Sequence, residues 1–265
     1  MKIGFRAFDL IHFSSYSLSQ KKTRNLPTNF SIMKIALVGY GKMGKIIDEI
    51  ATARGHEIVA RLKETPNAEN LNHPDIVIEF SLPEVAFKNV HNCLSLGIPV
   101  VCGTTGWLKK KPEIETLAME KNTGFIYGSN FSLGVNLFFA LNEKLALMMK
   151  NFPEYTPALE EIHHIHKKDA PSGTAISLAE GILNHSAIYN GWKLGETTGN
   201  ELGIEAIRKD EVPGTHSIFY RSDVDEIEIK HTAHHRSGFA LGAVIAAEWL
   251  HGKNGIFTMK DVLGL

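Results

Sequence analysis

The chain of 265 residues is poor in cysteine and has no surplus of either charge. Cys93 and Cys102 are its two cysteines, and they stand in neither a CxxC nor a zinc-ribbon spacing. Two cysteines are too few for a disulfide framework, which fits a reducing compartment, and we expect both to be buried apolar side chains. The formal net charge of −1 provides no basic surface for a phosphate backbone, so nucleic acid is not an expected partner.

Long apolar runs are also missing from the sequence. No segment approaches the roughly 18 consecutive apolar residues that a membrane helix needs. The composition, 43% hydrophobic and 22% charged, is that of an ordinary globular chain. We therefore expect a soluble, cytoplasmic protein that binds a small molecule and no membrane.

The first 32 residues lack a sustained hydrophobic period. Asp9 and His12 interrupt their apolar part, whereas a secretory signal has an unbroken apolar region. A regular strand pattern begins at Met33. We expect residues 1–32 to be a disordered extension or the product of an over-long start assignment, with a targeting peptide as the alternative.

From Met33 to Tyr127, short apolar runs alternate with stretches of helical spacing. Strands are predicted at residues 35–38, 57–62, 75–80, 99–102 and 124–127. Helices are predicted at residues 43–52, 85–96 and 112–121. This α/β alternation predicts a doubly wound parallel sheet of the Rossmann type, with its ligand-binding loops at the carboxyl ends of the strands.

After Asn136 the pattern changes to a long helix and then to strands with alternating polar and apolar residues. The helix is predicted from about Leu137 to Met149, and the strands at residues 203–208, 215–221 and 226–231. Such alternation predicts a mainly antiparallel sheet with one packed face, in a smaller α+β domain. Helical spacing returns from Phe239 to Leu250, which we expect to dock back on the first sheet.

These patterns predict a division into two domains. Residues 33–131 and 239–265 would form the dinucleotide-binding domain, and residues 132–238 the substrate-binding domain.

The segment Gly39-Tyr40-Gly41-Lys42-Met43-Gly44 has the form GxGxxG and stands between a predicted strand and a predicted helix. The first glycine permits a tight turn, the second lets a pyrophosphate approach the backbone, and the third lets helix and strand pack closely. The motif predicts a dinucleotide site, and the alternative is an ordinary glycine-rich turn.

Lys63 and Glu64 follow the second predicted strand, about 20 residues beyond the glycines, where the nucleotide ribose is read in such folds. A carboxylate there binds the hydroxyls of NAD, and a cation accepts the 2′-phosphate of NADP. Glu64 suits the first task and Lys63 or Arg61 the second, so NADH and NADPH are both candidate cofactors.

Two further loops follow predicted strands at their carboxyl ends. They are Gly103-Thr104-Thr105-Gly106 and Gly128-Ser129-Asn130-Phe131. Together with the glycine turn they are predicted to line a nicotinamide pocket.

The segment HHIHKKDAPSGTA, residues 163–175, first suggests a metal site. In a strand His163 and His164 point to opposite faces, which leaves only His164 and His166 on one side. Two ligands do not complete a tetrahedral zinc site, and the adjacent lysines oppose a divalent ion. Histidines at 231, 234 and 235 would have to supply the rest, so we expect no metal.

The same segment also suggests an anion site. Ser172 has the side chain of a helix N-cap, and helical spacing follows from Ala175 to Leu183. The free amides of Gly173 and Thr174 and the hydroxyls of Ser172 and Thr174 would hold a carboxylate or phosphate. A capped helix without a ligand is the alternative.

Acid catalysis is the third interpretation of the segment. His163 and Lys167 would share a face if the strand persisted. Histidine suits proton transfer near neutral pH, and lysine fixes negative charge. The two residues therefore predict a catalytic acid beside the anion site.

The segment EIHHIHKKDAPSGTA, residues 161–175, resembles the signature of the 4-hydroxy-tetrahydrodipicolinate reductase family almost throughout. The Gly103–Gly106 turn, the SNFS and GVN segments between Ser129 and Asn136, and the closing residues 255–263 are similar too. The resemblance runs from Met33 to near Leu263 and leaves residues 1–32 without a counterpart. Lys63 stands about where several relatives have an acid, so the choice between NAD and NADP stays open.

The resemblance implies a nicotinamide-dependent enzyme of bacterial lysine and diaminopimelate biosynthesis, using NADH or NADPH. It implies that His163 is the proton donor and Lys167 a second essential cation, and that His164, Gly173 and Thr174 contact a dicarboxylate ring. It also implies a homotetramer joined through the sheet of the second domain. Another two-domain dehydrogenase of small amino or carboxylic acids is the alternative enzyme, and a dinucleotide-sensing regulator is the non-enzymatic one.

Overall fold

The computed structural model describes residues 31–197, 199–235 and 237–265. The predictions made for the N-terminal extension fall on residues 1–30 and so lie outside the described residues. Within the described part, no helix is long and apolar enough to span a bilayer.

The secondary structure follows the predicted order closely. The first half of the chain contains β1 (Lys34–Val38), α1 (Lys42–Ala53), β2 (Glu57–Leu62), β3 (Ile76–Glu79), α2 (Pro83–Ser95), β4 (Val100–Cys102), α3 (Lys111–Glu120) and β5 (Gly124–Tyr127). The second half contains α4 (Leu133–Met149), β6 (Thr156–His163), α5 (Gly173–Leu183), β7 (Gly191–Leu194), β8 (Glu201–Arg208), β9 (Thr215–Arg221), β10 (Glu226–Thr232), α6 (Ser237–Leu250), β11 (Gly255–Phe257) and α7 (Met259–Leu263).

The first sheet has the strand order β11-β5-β4-β3-β1-β2, and its pairs are parallel, as predicted. Its central strands are mainly apolar because both of their faces are covered. On β1, Ile35 and Leu37 pack towards α1 and α6, whereas Ala36 and Val38 pack towards α2 and α3. The strand order reverses between β1 and β3, which opens a crevice at their carboxyl ends.

The second sheet has the order β10-β9-β6-β8-β7 and is mixed. The pairs β10–β9 and β9–β6 are antiparallel, as predicted, but β8 runs parallel to both of its neighbours. Parallel pairing needs a long crossover connection. Helix α5 lies between β6 and β8 in the chain and provides it, a consequence that the alternation within single strands does not reveal.

Helices α4 and α5 cover one face of the second sheet. Phe138 and Ala146 of α4 and Leu178 and Ile182 of α5 are buried there against Leu159 of β6. Alternation along β6 therefore places Leu159, Glu161 and His163 on the covered face, with Glu161 and His163 at the carboxyl end. This end of β6 meets the beginning of α5.

Candidate active site

The turn after β1 is fixed by its first glycine. Gly39 has a φ of +92°, and a Cβ there would lie 2.1 Å from the carbonyl oxygen of Phe80. The N–H groups of Gly39 and Tyr40 donate to the carbonyl of Leu62 at 2.9 and 3.0 Å. The turn is thus held against the ends of β2 and β3, and only glycine fits at position 39.

Helix α1 begins at Lys42, and its N-cap, Gly41, makes no side-chain capping bond. A Cβ on Gly41 would meet nothing within 4 Å. The first amides of a helix carry partial positive charge and lack partners within the helix. Open space in front of such amides is what a pyrophosphate needs, so this turn fits a dinucleotide.

A cleft of about 550 Å³, which we call the glycine-turn cleft, opens in front of α1. Its lining includes the predicted cofactor residues Gly39, Gly41, Lys42, Lys63 and Glu64. The fifth residue of the motif, Met43, lies in the adjoining pocket described below, and Gly44 is buried against Gly39.

Arg61 lies outside this lining, because it pairs with Asp48 of α1. Its Nε and Nη2 lie 2.5 and 3.0 Å from the Asp48 carboxylate, and the Tyr40 hydroxyl donates to the same group at 2.7 Å. The hydrogen bond from Arg61 is the main reason why the pKa of Asp48 is lowered. Arg61 is therefore engaged by Asp48, whereas Lys63 is exposed and lines the cleft beside Glu64.

A second pocket of about 210 Å³ adjoins the first, and Phe80 and Ser81 line both. We call it the Thr104 pocket. Besides these two residues it is lined by Met43, Pro83, Gly103, Thr104 and Thr105. The predicted Gly103–Thr105 loop thus lies next to the glycine turn.

The other predicted loop is placed differently. Gly128, Ser129 and Asn130 line a separate groove beside α4, α5 and α7. The Asn130 side chain accepts a bond from the Ser132 N–H at 2.9 Å, which turns this segment into the start of α4. Both ends of this loop still lie near the Thr104 pocket: the Gly128 N–H donates to the carbonyl of Cys102 at 3.1 Å, and the Phe131 ring centroid lies 5.7 Å from that of Phe80.

Strand β6 ends at His163, so the strand does not persist to Lys167 as the shared-face argument required. The Lys167 N–H donates to the carbonyl of His164 at 3.1 Å, which makes residues 164–167 a turn. Lys167 nevertheless remains near enough for its charge to lower the pKa of His163. The two residues are therefore brought together by a turn and not by strand parity.

Glu161 is fully buried and joins three segments of the chain. Its carboxylate accepts hydrogen bonds from the Ser172 N–H at 3.0 Å and from Nη2 of Arg208 at 3.2 Å. It also lies 3.7 Å from Nε2 of His216, the residue opposite it on β9. We call Glu161, His163, Arg208 and His216 the His163 cluster.

The charge of Glu161 is strongly stabilised in this cluster. Burial raises the pKa of Glu161, but hydrogen bonds from His216 and Ser172 and the proximity of His163 lower it to about 2. The carboxylate is therefore ionised at neutral pH.

His163 is also buried, and its Nδ1 lies 3.5 Å from the Glu161 carboxylate without making a hydrogen bond. Its ring packs edge-on against that of His216, with centroids 5.0 Å apart. Burial is the main reason why the pKa of His163 is lowered to about 4; the proximity of Glu161 opposes this shift, and the charges of Lys167 and Arg208 add to it. His163 is therefore a neutral imidazole at pH 7, and it lies next to the negative charge of Glu161.

The remaining predicted residues of the segment surround this cluster. Nζ of Lys167 lies 2.7 and 2.8 Å from the two carboxylate oxygens of Asp169. His164 has a buried Nδ1 without a hydrogen-bond partner, whereas the exposed His166 lies beside Glu211. His164 thus has an unpartnered buried ring nitrogen, and its ring centroid lies 6.2 Å from that of His166.

Ser172 is the N-cap of α5, as predicted, and its hydroxyl accepts a bond from the Ala175 N–H at 3.1 Å. The same hydroxyl lies 3.2 Å from Nε2 of His216. Gly173 is exposed, and a Cβ there would meet nothing within 4 Å. The amides of Gly173 and Thr174 at the start of α5 thus face open space beside the cluster.

Three side chains of the cluster could also be viewed as metal ligands, since potential ligand atoms of Glu161, His163 and His216 lie within 4.8 Å of one another. This set differs from the histidines weighed in the sequence. Arg208 already neutralises the carboxylate, and Ser172 already bonds His216. The arrangement is better suited to positioning His163 for proton transfer than to binding a metal cation.

A dinucleotide cleft on a parallel sheet, combined with a buried histidine beside an open helix start, is the arrangement of a nicotinamide-dependent oxidoreductase. Comparison with known proteins gives the family. The family model described as "Dihydrodipicolinate reductase, N-terminus" matches residues 33–131, and its C-terminal counterpart matches residues 134–263. The chain belongs to the dihydrodipicolinate reductase family.

Individual relatives agree with this assignment. The chain is 52% identical over 233 residues to the 4-hydroxy-tetrahydrodipicolinate reductase of Christiangramia forsetii, with 87% of this chain and 98% of the relative covered. It is 35% identical over 237 residues to the enzyme of that name from Methanocaldococcus jannaschii, with 86% and 81% covered.

A solved structure supports the fold. The dipicolinate-bound dihydrodipicolinate reductase of Paenisporosarcina sp. TG-14 superimposes with a TM-score of 0.70 at 20% identity, covering 86% of this chain and 98% of that one.

Proposed function

We propose that the protein reduces 4-hydroxy-tetrahydrodipicolinate to tetrahydrodipicolinate with NADH or NADPH, in lysine and diaminopimelate biosynthesis. The observation that carries this proposal is the arrangement of the His163 cluster against the start of α5. A neutral histidine, a lysine and free helix amides meet there, in a chain that also has a dinucleotide cleft. Family membership and the activity named for the relatives support the choice of substrate.

The α5 start and the turn before it are the proposed substrate site. The amides of Gly173 and Thr174 and the hydroxyl of Thr174 bind one carboxylate of the ring, and Ser172 orients that turn. His164 and Lys167 bind the second carboxylate of the ring. Lys167 must exchange its contact with Asp169 for the substrate carboxylate, which the exposed position of the Asp169 side chain permits.

His163 is the proposed proton donor. It is neutral at pH 7 without a ligand, because its pKa is about 4. A bound dicarboxylate adds negative charge nearby and raises that pKa, so that the imidazole takes up a proton. Glu161 faces Nδ1 and favours the protonated ring, while Arg208 and Ser172 hold Glu161 in place.

The cofactor residues divide between the two clefts. Gly39, Gly41 and Lys42 hold the pyrophosphate, and Lys63 and Glu64 hold the adenosine ribose. The Thr104 pocket receives the nicotinamide, with Gly128, Ser129, Asn130 and Phe131 proposed to approach it from the α4 side. When bound, the reduced nicotinamide supplies the hydride.

We further propose a discontinuous domain division and a homotetramer. Helix α6 packs on α1, and β11 joins the first sheet, which supports a cofactor domain of residues 33–131 and 239–265. Residues 132–238 form the substrate and oligomerisation domain. The face of the second sheet opposite α4 and α5 has a groove of about 480 Å³, and this uncovered face is the proposed tetramer surface. The compartment is proposed to be the cytoplasm.

The test is an assay that couples purified protein to freshly made product of dihydrodipicolinate synthase and follows oxidation of NADH and of NADPH by absorbance. Turnover with at least one cofactor is expected. The same preparation is offered amino acids with NAD and NADP, because an amino-acid dehydrogenase is the alternative. Activity only in that second assay, or in neither, contradicts the proposal.

A further inference from the structure

Glu79 is a carboxylate buried at the end of β3, behind the Thr104 pocket. Glu79 as a whole is 0% exposed. In the sheet it pairs with Val38 of β1 and Cys102 of β4. Glu79 therefore lies at the carboxyl edge of the sheet, beside the crevice at which the strand order reverses.

Neutral donors surround this carboxylate. The Ser81 hydroxyl and Nδ2 of Asn89 donate to Oε1, the second at 3.4 Å, and Sγ of Cys102 donates to Oε2 at 3.1 Å. The Thr104 hydroxyl contributes a further hydrogen bond. Among the described residues, no cation forms an ion pair with Glu79. Burial outweighs these four hydrogen bonds, so the pKa of Glu79 is raised above its usual value. The hydrogen bonds limit the rise, because a carboxylate only accepts hydrogen bonds and each of these donors favours the anion.

Two of these donors are walls of the pocket. Ser81 and Thr104 both line it, and the Ser81 N–H donates to Oγ1 of Thr104 at 2.7 Å. The Glu79 carboxylate is therefore hydrogen-bonded directly to two side chains of the pocket wall. In such a water-poor region a charge acts over several ångströms.

We propose, on the basis of the function proposed above, that Glu79 is a positioning residue whose unpaired charge favours hydride donation from the nicotinamide. The hydride, a proton with two electrons, leaves C4 of the neutral reduced ring and joins the substrate, and the ring becomes a cation. A negative charge behind the pocket stabilises that cation and so favours the oxidised cofactor over the reduced one. By bonding Ser81 and contacting Thr104, Glu79 also holds the two loops that shape the pocket.

The experiment measures the Kd of the oxidised and of the reduced cofactor, by calorimetric titration, for the wild type and three variants. In Glu79→Gln the Kd of the oxidised form should rise about tenfold relative to that of the reduced form, as expected for one lost charge interaction. Glu79→Asp keeps the charge and Cys102→Ala removes only one donor, so both should keep the wild-type ratio within about twofold.

A purely structural role would weaken both forms equally in Glu79→Gln, and an unchanged ratio overturns the proposal. ADP-ribose, which lacks the nicotinamide, should bind all four proteins alike, which shows that the glycine-turn cleft is intact. If Glu79→Gln does not fold, Glu79→Leu removes the charge without placing amide hydrogens against the donors, and the same ratio decides. A wild type that binds neither NADH nor NADPH would refute the proposed function instead.

Discussion

Glu161 and His163 stand two residues apart on β6, with Oε2 of the carboxylate 3.5 Å from Nδ1 of the imidazole. Both side chains point to the covered face of the sheet, where Arg208 and Ser172 fix the carboxylate. The imidazole of His163 therefore lies beside a negative charge whose position is fixed by hydrogen bonds. Such support is what a proton-transfer residue needs to keep its geometry through the reaction.

Glu161→Gln tests this relationship. The substitution removes the negative charge that raises the pKa of His163, so the protonated imidazole is disfavoured. We expect kcat at pH 7.5 to fall about tenfold or more, and the fall of kcat towards high pH to begin roughly one unit lower. Glu160→Gln, on the opposite face of β6, is the matched control and should keep the wild-type profile. A lower kcat with an unshifted profile would contradict the role of Glu161.

His163→Gln and Lys167→Ala test the proposed substrate chemistry. Each should lower kcat by about 100-fold or more, the usual contribution of an acid or a positioned cation, and should leave the Kd of NADH unchanged. The control is His166→Gln, because the His166 side chain is 71% exposed and faces Glu211. If either variant loses cofactor binding while keeping its fold, the site has been misassigned.

Asp169→Asn tests whether Asp169 competes with the substrate for Lys167. The ion pair holds Nζ of Lys167 at 2.7 Å, but the Asp169 side chain is 62% exposed, so its loss is worth at most about 1 kcal/mol. We expect pyridine-2,6-dicarboxylate, used as an inhibitor, to bind up to about fivefold more tightly. Weaker binding would instead mean that Asp169 orients Lys167 for the ligand.

Substitutions at two glycines of the turn distinguish an effect on cofactor binding from an effect on folding. Gly41→Ala should leave the Tm unchanged, since nothing lies within 4 Å of the new methyl group, and should weaken NADH binding at least about tenfold by blocking the pyrophosphate. Gly39→Ala should also destabilise the fold by about 2 kcal/mol or more, because of its φ of +92° and the contact with Phe80. Thermal unfolding and titration together check both, and equal behaviour of the two variants would contradict the geometry.

Acid should destabilise the protein in two stages. His163 has its pKa lowered from 6.5 to about 4, so the unfolded chain binds its proton first and stability falls as pH drops between these values. Glu161 has its pKa lowered from 4.5 to about 2, so its contribution is present above 4.5 and is lost towards 2. Each loss is on the order of 2 kcal/mol. In urea unfolding, His163→Gln should flatten the first stage and reduce the second only slightly, because His163 is the smallest of the causes that lower the pKa of Glu161. A wild-type stability that is constant from pH 6.5 to 4 would contradict the role given to His163.

The parallel sheet, the glycine turn and the cap at Ser172 could be predicted because each depends on residues adjacent in sequence. Glu161 could also have been found, since it has the same strand parity as His163. Arg208 and His216 could not, because they reach Glu161 only through the pairing of β6 with β8 and β9. The same limit explains why the parallel direction of β8 and the pairing of Arg61 with Asp48 could not be predicted.

The proposed reaction requires that a hydride passes from a nicotinamide in the Thr104 pocket to a dicarboxylate ring held at the start of α5. It is tested most directly with reduced cofactor that carries deuterium at the transferred C4 position, followed by mass spectrometry of the product. We expect the wild type to form tetrahydrodipicolinate that carries one deuterium, and His163→Gln to form much less of this labelled product. An unlabelled product, or none with either cofactor, would contradict it.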